Sequence, residues 1–188
     1  MIRLLIGVIL LFRMPSIAPF IDDCKFIKMI SDSSLLEVEK IVTRYFPNYM
    51  IRDKSELSNY AEVYFMDRYK NCNPSITEGD MDGNGLIDYA LILRNRVDNK
   101  IVFVILIQND KNNFQILYQK DLGSSGSEIF LRVIEPGEKI SQTESFDIPK
   151  KETTLENTGV ELIVFEAAAI AYYWDKMSKS IQMIWTDD

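Results

Sequence analysis

The chain has 188 residues, 47% of them hydrophobic, with 21 Lys and Arg against 28 Asp and Glu and a formal charge of −7. That length and apolar content suit one globular domain with its own core, and the acidic balance, with no Lys/Arg cluster, argues against sequence-independent nucleic-acid binding. Histidine is absent, which removes the commonest general base and the commonest transition-metal ligand.

At the N-terminus, Arg3 followed by the apolar run Leu4 to Phe12 reads as an export signal, with Ser16-Ile17-Ala18 as the small residues of a cleavage site. Arg13 and Pro19 depart from that pattern. The run is shorter than the roughly 20 residues a membrane span needs. The expectation is therefore a signal over residues 1–18 and a single domain over 19–188, periplasmic or secreted. An uncleaved anchor, which would bring a membrane into play, and a cytoplasmic chain are the alternatives. Removing Arg3 and Arg13 with the signal would make the remaining body two charges more acidic. In an oxidising compartment Cys24 and Cys72, the two cysteines, are expected to form one disulfide. Two unrelated thiols are the competing reading.

Ser34-Leu35-Leu36-Glu37 has the form of a capping box. Leu35, Val38, Ile41, Val42 and Tyr45 then recur at helical spacing until Pro47, which predicts an amphipathic helix covering a core. A second helix is expected over Ser55 to Tyr69, with Leu57, Ala61, Tyr64 and Phe65 on one side. From Tyr89 onward the chain reads as strands: Tyr89–Asn95, Lys100–Gln108, Asn113–Lys120, Ile129–Glu135, Val160–Trp174 and Ser180–Thr186. Turn-forming residues separate them. Such close succession implies antiparallel hairpins. The wholly apolar Ile101 to Ile107 predicts a central strand covered on both faces. Ser141 to Thr158 is the longest polar stretch and reads as an excursion within the domain. The fold class expected is α+β, with one or two N-terminal helices packed on a mainly antiparallel sheet of about six strands.

Between the second helix and the first long strand lies Gly79-Asp80-Met81-Asp82-Gly83-Asn84-Gly85-Leu86-Ile87-Asp88. It offers side-chain oxygens at Asp80, Asp82, Asn84 and Asp88, and a backbone carbonyl at Leu86. Hard cations such as calcium take six to eight oxygens, and a glycine-bearing loop is a direct way to converge them. Counted from Asp80, position twelve is Leu91, where a helix-loop-helix calcium site carries a bidentate Glu, and a β-run follows, so this is not an EF-hand. Magnesium, with its strict octahedral demand, suits the loop less well. A glycine-rich turn whose aspartates only bond backbone amides is the plainer reading. Three carboxylates within nine residues would then repel one another with no cation between them.

This loop, with Tyr89-Ala90-Leu91-Ile92-Leu93 after it, resembles the calcium loops of FG-GAP and VCBS-type repeat proteins. It resembles more closely small exported bacterial proteins of unknown function that carry one such loop. The wider likeness runs from Pro74 to Gly159–Glu166, Tyr172-Tyr173-Trp174 and Ile184-Trp185. It implies side-chain ligands at Asp80, Asp82, Asn84 and Asp88, with Leu86 lending its carbonyl, at the entrance to a β-strand. Having one loop rather than several departs from propeller-forming relatives and gives no support to an adhesive role.

Other chemistry is thinner. Ser124, Ser125 and Ser127 lie in a Gly-Ser loop without a histidine to activate them; a Ser-Lys arrangement is left open. Glu161 and Glu166, five apart in one expected strand, would point to opposite faces, with Glu161 solvated and Glu166 on the wet face or paired inside. Tyr172, Tyr173, Trp174 and Trp185 are read as cross-strand core pairs, or else as a glycan- or peptide-binding surface. The function expected is a non-enzymatic binding or accessory module with a structural calcium ion. A hydrolase acting on cell-surface polymers and an inhibitor or immunity-type partner of another exported protein are the alternatives.

Overall fold

The computed structural model describes residues 32–69, 72–110, 113–124, 126–143 and 152–186. The expected export signal and Cys24 lie outside them. Helix α1 (Asp32–Tyr45) begins two residues before Ser34, so the expected capping serine lies inside its first turn. A 3-10 turn, Lys54–Glu56, precedes helix α2 (Asn59–Arg68). The second expected helix is therefore shorter than the span read for it. Asp53 caps the turn, accepting from the Ser55 amide, while Glu56 accepts from the Asp53 amide. Ser58 then caps α2 by accepting from Ala61, since a hydroxyl at that position satisfies an amide with no helical partner.

Among the described residues eleven strands follow the chain: β1 (Tyr49–Ile51), β2 (Ile76–Gly79), β3 (Asp88–Asn95), β4 (Ile101–Asp110), β5 (Asn113–Gly123), β6 (Ile129–Ile134), β7 (Lys139–Ser141), β8 (Glu152–Thr154), β9 (Gly159–Val164), β10 (Ala168–Asp175) and β11 (Ser180–Thr186). They form a five-stranded sheet, β1-β3-β4-β5 with β2 also on β3, a four-stranded sheet, β11-β10-β9-β6, and the β7-β8 pair. Every strand pairing is antiparallel. The protein is thus mainly β with few helices.

The single sheet of six strands expected from the sequence becomes two packed sheets and a small third. Val160–Trp174 is not one strand but the hairpin β9-β10, turning at Phe165–Ala167, where Glu166 adopts a φ of 56°. No Gly, Pro or Asn marks that turn in the sequence. Four further strands, β1, β2, β7 and β8, have only three or four residues, too few to show alternation.

Alternation along the long strands builds the layers. Ala90, Ile92, Phe103 and Ile105 face Leu131, Leu162, Ile170 and Tyr172 between the two large sheets. The opposite face of the first sheet carries Leu91, Leu93, Val102, Val104 and Leu106, and Val38, Ile41, Val42 and Phe46 cover it, the first three from α1 and Phe46 just beyond its end. On the outer face of the second sheet, Phe130, Ile163 and Ala169 lie under Ala61 and Phe65 of α2, while Ile134, Ala171 and Ile184 lie under Ile140 and Leu155. The expectation for Ile101–Ile107 holds: strand β4 is buried on both faces. Among the described residues no helix is long and apolar enough to cross a membrane.

Candidate metal centre

The acidic loop spans the tip of the β2-β3 hairpin, whose last register pair is Gly79 with Asp88. Gly83 and Gly85 take φ values of 81° and 82°, a region L side chains enter only with strain. The chain can therefore double back tightly enough for its side chains to converge. Asp80 accepts from the amides of Gly83 and Gly85 at 2.8 and 2.9 Å, one on each oxygen. Asp82 accepts from the backbone amide and the side chain of Asn84 at 3.0 and 3.2 Å. Asn84 accepts in turn from the Leu86 amide at 2.7 Å.

Asp88 opens β3 and is fully buried. One of its oxygens accepts from Met81 at 2.7 Å, and the other accepts from Gln108 at 2.8 Å. Burial pushes its carboxyl up to about 6, against the pull of the Gln108 and Met81 amides and with a further push from the charge of Asp82. One oxygen each of Asp80, Asp82 and Asp88 lies within 4.8 Å of the others. None of the ion pairs among the described residues reaches these three carboxylates.

The hydrogen bonds are those a bare turn would make. The convergence of three like charges, one of them buried without a cation, is what a bare turn leaves unexplained. Each carboxylate retains lone pairs beyond those its amides use. The donors are all hard oxygens, with no nitrogen or sulfur among them, which suits calcium-like rather than soft cations. The three aspartates could therefore hold a metal ion. Asn84 is tied to Asp82 and Leu86 to Asn84, so all five expected positions belong to one bonded turn.

Three residues of this loop's surroundings gave no signal in the sequence. Asn84 donates to the Gln108 carbonyl at 2.8 Å, the Thr158 amide donates to the Asp80 carbonyl at 3.1 Å, and Asn157 donates to the Met81 carbonyl at 3.4 Å. Each is at least 24 residues from its partner, so only the fold brings them together.

The other candidate groups fall differently. Glu161 is not solvated: it is 6% exposed, accepts from Arg132 at 2.7 Å and from the Thr186 hydroxyl, and shares Arg132 with Glu138 at 2.9 Å. Its outward-facing position in β9 is roofed by neighbouring elements, which a strand pattern cannot reveal. Glu166 lies exposed at the β9-β10 turn, wet as expected but not on a strand. The Gly-Ser loop joins β5 to β6, with the Gly126 carbonyl accepting from Arg52 and the Ser127 carbonyl from Ser58. Tyr172 is a core residue, 4.9 Å from the Phe103 ring and 5.0 Å from that of Tyr118. Trp185 is 53% exposed, so the expected aromatic group divides between core and surface.

No known family matches the chain, and no curated protein or solved structure is significantly similar to it. The fold and this loop together define a helix-flanked, mainly antiparallel β protein with a three-aspartate cluster able to take a metal ion.

Proposed function

We infer that the chain is an exported, non-enzymatic binding or accessory module in which Asp80, Asp82, Asn84, Asp88 and the carbonyl of Leu86 hold a structural calcium ion. The observation that carries this reading is the convergence of three carboxylates to within 4.8 Å around a buried Asp88 that no cationic side chain among the described residues pairs with. The resemblance of the loop to FG-GAP and VCBS-type calcium loops supports calcium over other hard cations. The ion would neutralise the loop and fix the start of β3. The apolar N-terminal run and a Cys24–Cys72 disulfide complete the reading as a periplasmic or secreted protein. Closing that ring would contribute about 4 kcal/mol on the chain-entropy model.

Calorimetric titration of the metal-stripped protein tests the site. Calcium heat with a dissociation constant no weaker than about 10⁻³ M, the range of extracellular modules, is expected. No heat and no melting shift at millimolar calcium would refute it.

A further inference from the structure

We propose that Asn157 and Thr158 are positioning residues for the cation loop, so that cation binding orders the segment leading into β9 and one wall of the groove beside it. This rests on the calcium reading of the loop. Asn157 and Thr158 lie 69 or more residues from the loop in sequence but form its backing. Their amide and side-chain donors are bound to the carbonyls of Asp80 and Met81, two consecutive residues beside the carboxylate cluster. The fit leaves no spare room. A Cβ at Gly79 would stand 2.6 Å from Thr158, and one at Gly83 would stand 2.9 Å from Asn157. Gly79 is therefore required by this close approach, since its φ is not among the positive ones.

The loop accordingly bonds two places besides its own hairpin: the end of β4 through Gln108, and the entrance to β9 through Asn157 and Thr158. The two lie in different sheets. A cation that pulls Asp80, Asp82 and Asp88 together fixes the carbonyls of Asp80 and Met81, and with them the partners those carbonyls hold. Groups that orient metal ligands from behind typically alter affinity 10- to 100-fold when removed. Asn157 also lines a groove of about 350 Å³ between residues 153–157 and 173–177. Loop and groove thus share a wall, and any coupling between them is reciprocal.

Amide hydrogen exchange of the full chain, with calcium and with chelator, gives the test. Calcium should slow exchange over 153–159 as well as over 80–88. Asn157→Ala should weaken calcium binding about 10-fold by calorimetry and abolish the calcium-dependent protection of 153–159. Tyr60→Ser serves as the control: Tyr60 is 81% exposed on α2 and lines neither the loop nor the groove, so its loss should leave calcium affinity unchanged. Protection confined to 80–88, or wild-type affinity in Asn157→Ala, overturns the proposal while leaving the calcium site standing. A wild-type protein that takes no calcium removes both. Should Asn157→Ala fail to fold, the wild-type exchange pattern still decides.

Discussion

At the scale of single residues, the same residue type carries opposite roles according to what surrounds it. Asp82 is half-exposed and its carboxylate bonds Asn84 within the loop, so without a cation removal of that side chain costs little structure. With calcium bound, the ion's stabilisation depends on it. A ligand at 100 times its dissociation constant stabilises by about 2.7 kcal/mol, which for a chain of this size is a melting shift of about 5–10 °C. Asp82→Ala should lose most of that shift in saturating calcium and change melting little in chelator; equal losses in both, measured by differential scanning calorimetry, would count against calcium. Glu161 is the contrasting case, because its carboxylate already has a cation in Arg132. Glu161→Ala leaves that guanidinium with Glu138 alone on a partly covered face. Burial works against the charge of Arg132, and Glu161 and Glu138 outweigh it. Breaking such a pair from one side costs about 3 kcal/mol, and urea unfolding of the variant should show a loss near that size, with or without calcium.

At the scale of elements, legibility followed length and local chemistry. The acidic loop was readable because its side-chain oxygens and glycines sit within nine consecutive residues and need no tertiary information to converge. Strands β3, β4, β5, β6 and β11 were readable because six or more residues of apolar and β-branched character stand between turn-formers. Strand β1 was hidden because Tyr49–Ile51 forms only by pairing with Leu93–Asn95. The β9-β10 turn was hidden because Glu166 accepts a left-handed conformation that the sequence does not announce. The division into two sheets was equally hidden, since period-two alternation states that a strand has two faces but not which partner covers each. Strand β4 tests the layered arrangement. Phe103 is fully buried between the sheets, against Tyr118 and Tyr172, so Phe103→Ala should cost about 3–5 kcal/mol. Tyr60, 81% exposed on α2, should tolerate Tyr60→Ser within about 0.5 kcal/mol. Equal effects in chemical denaturation would show that the sheets do not meet as described.

At the scale of the whole molecule, three tyrosines in three separate packed clusters tie stability to high pH. Tyr69 lies among Phe65, Phe130 and Ala169, Tyr89 among the residues under α1, and Tyr172 between the sheets. Burial is the largest cause in each case: it raises Tyr69 and Tyr89 to about 12 and Tyr172 further still. An unfolded tyrosine ionises near 10. The folded protein therefore holds these protons after the unfolded chain has released them, and where the unfolded state binds fewer protons, stability falls as pH rises. Their contribution is complete below pH 10 and is lost progressively towards pH 12. Phenolate absorbance should show these three buried tyrosines ionising in step with loss of the far-ultraviolet dichroism of the sheets. Tyr69→Phe keeps the ring packing and removes one of the late protons. Its stability should fall less steeply with pH over this window, by up to one proton per molecule. An unchanged slope would mean that the Tyr69 hydroxyl is in contact with solvent and that α2 does not seal this side of the second sheet.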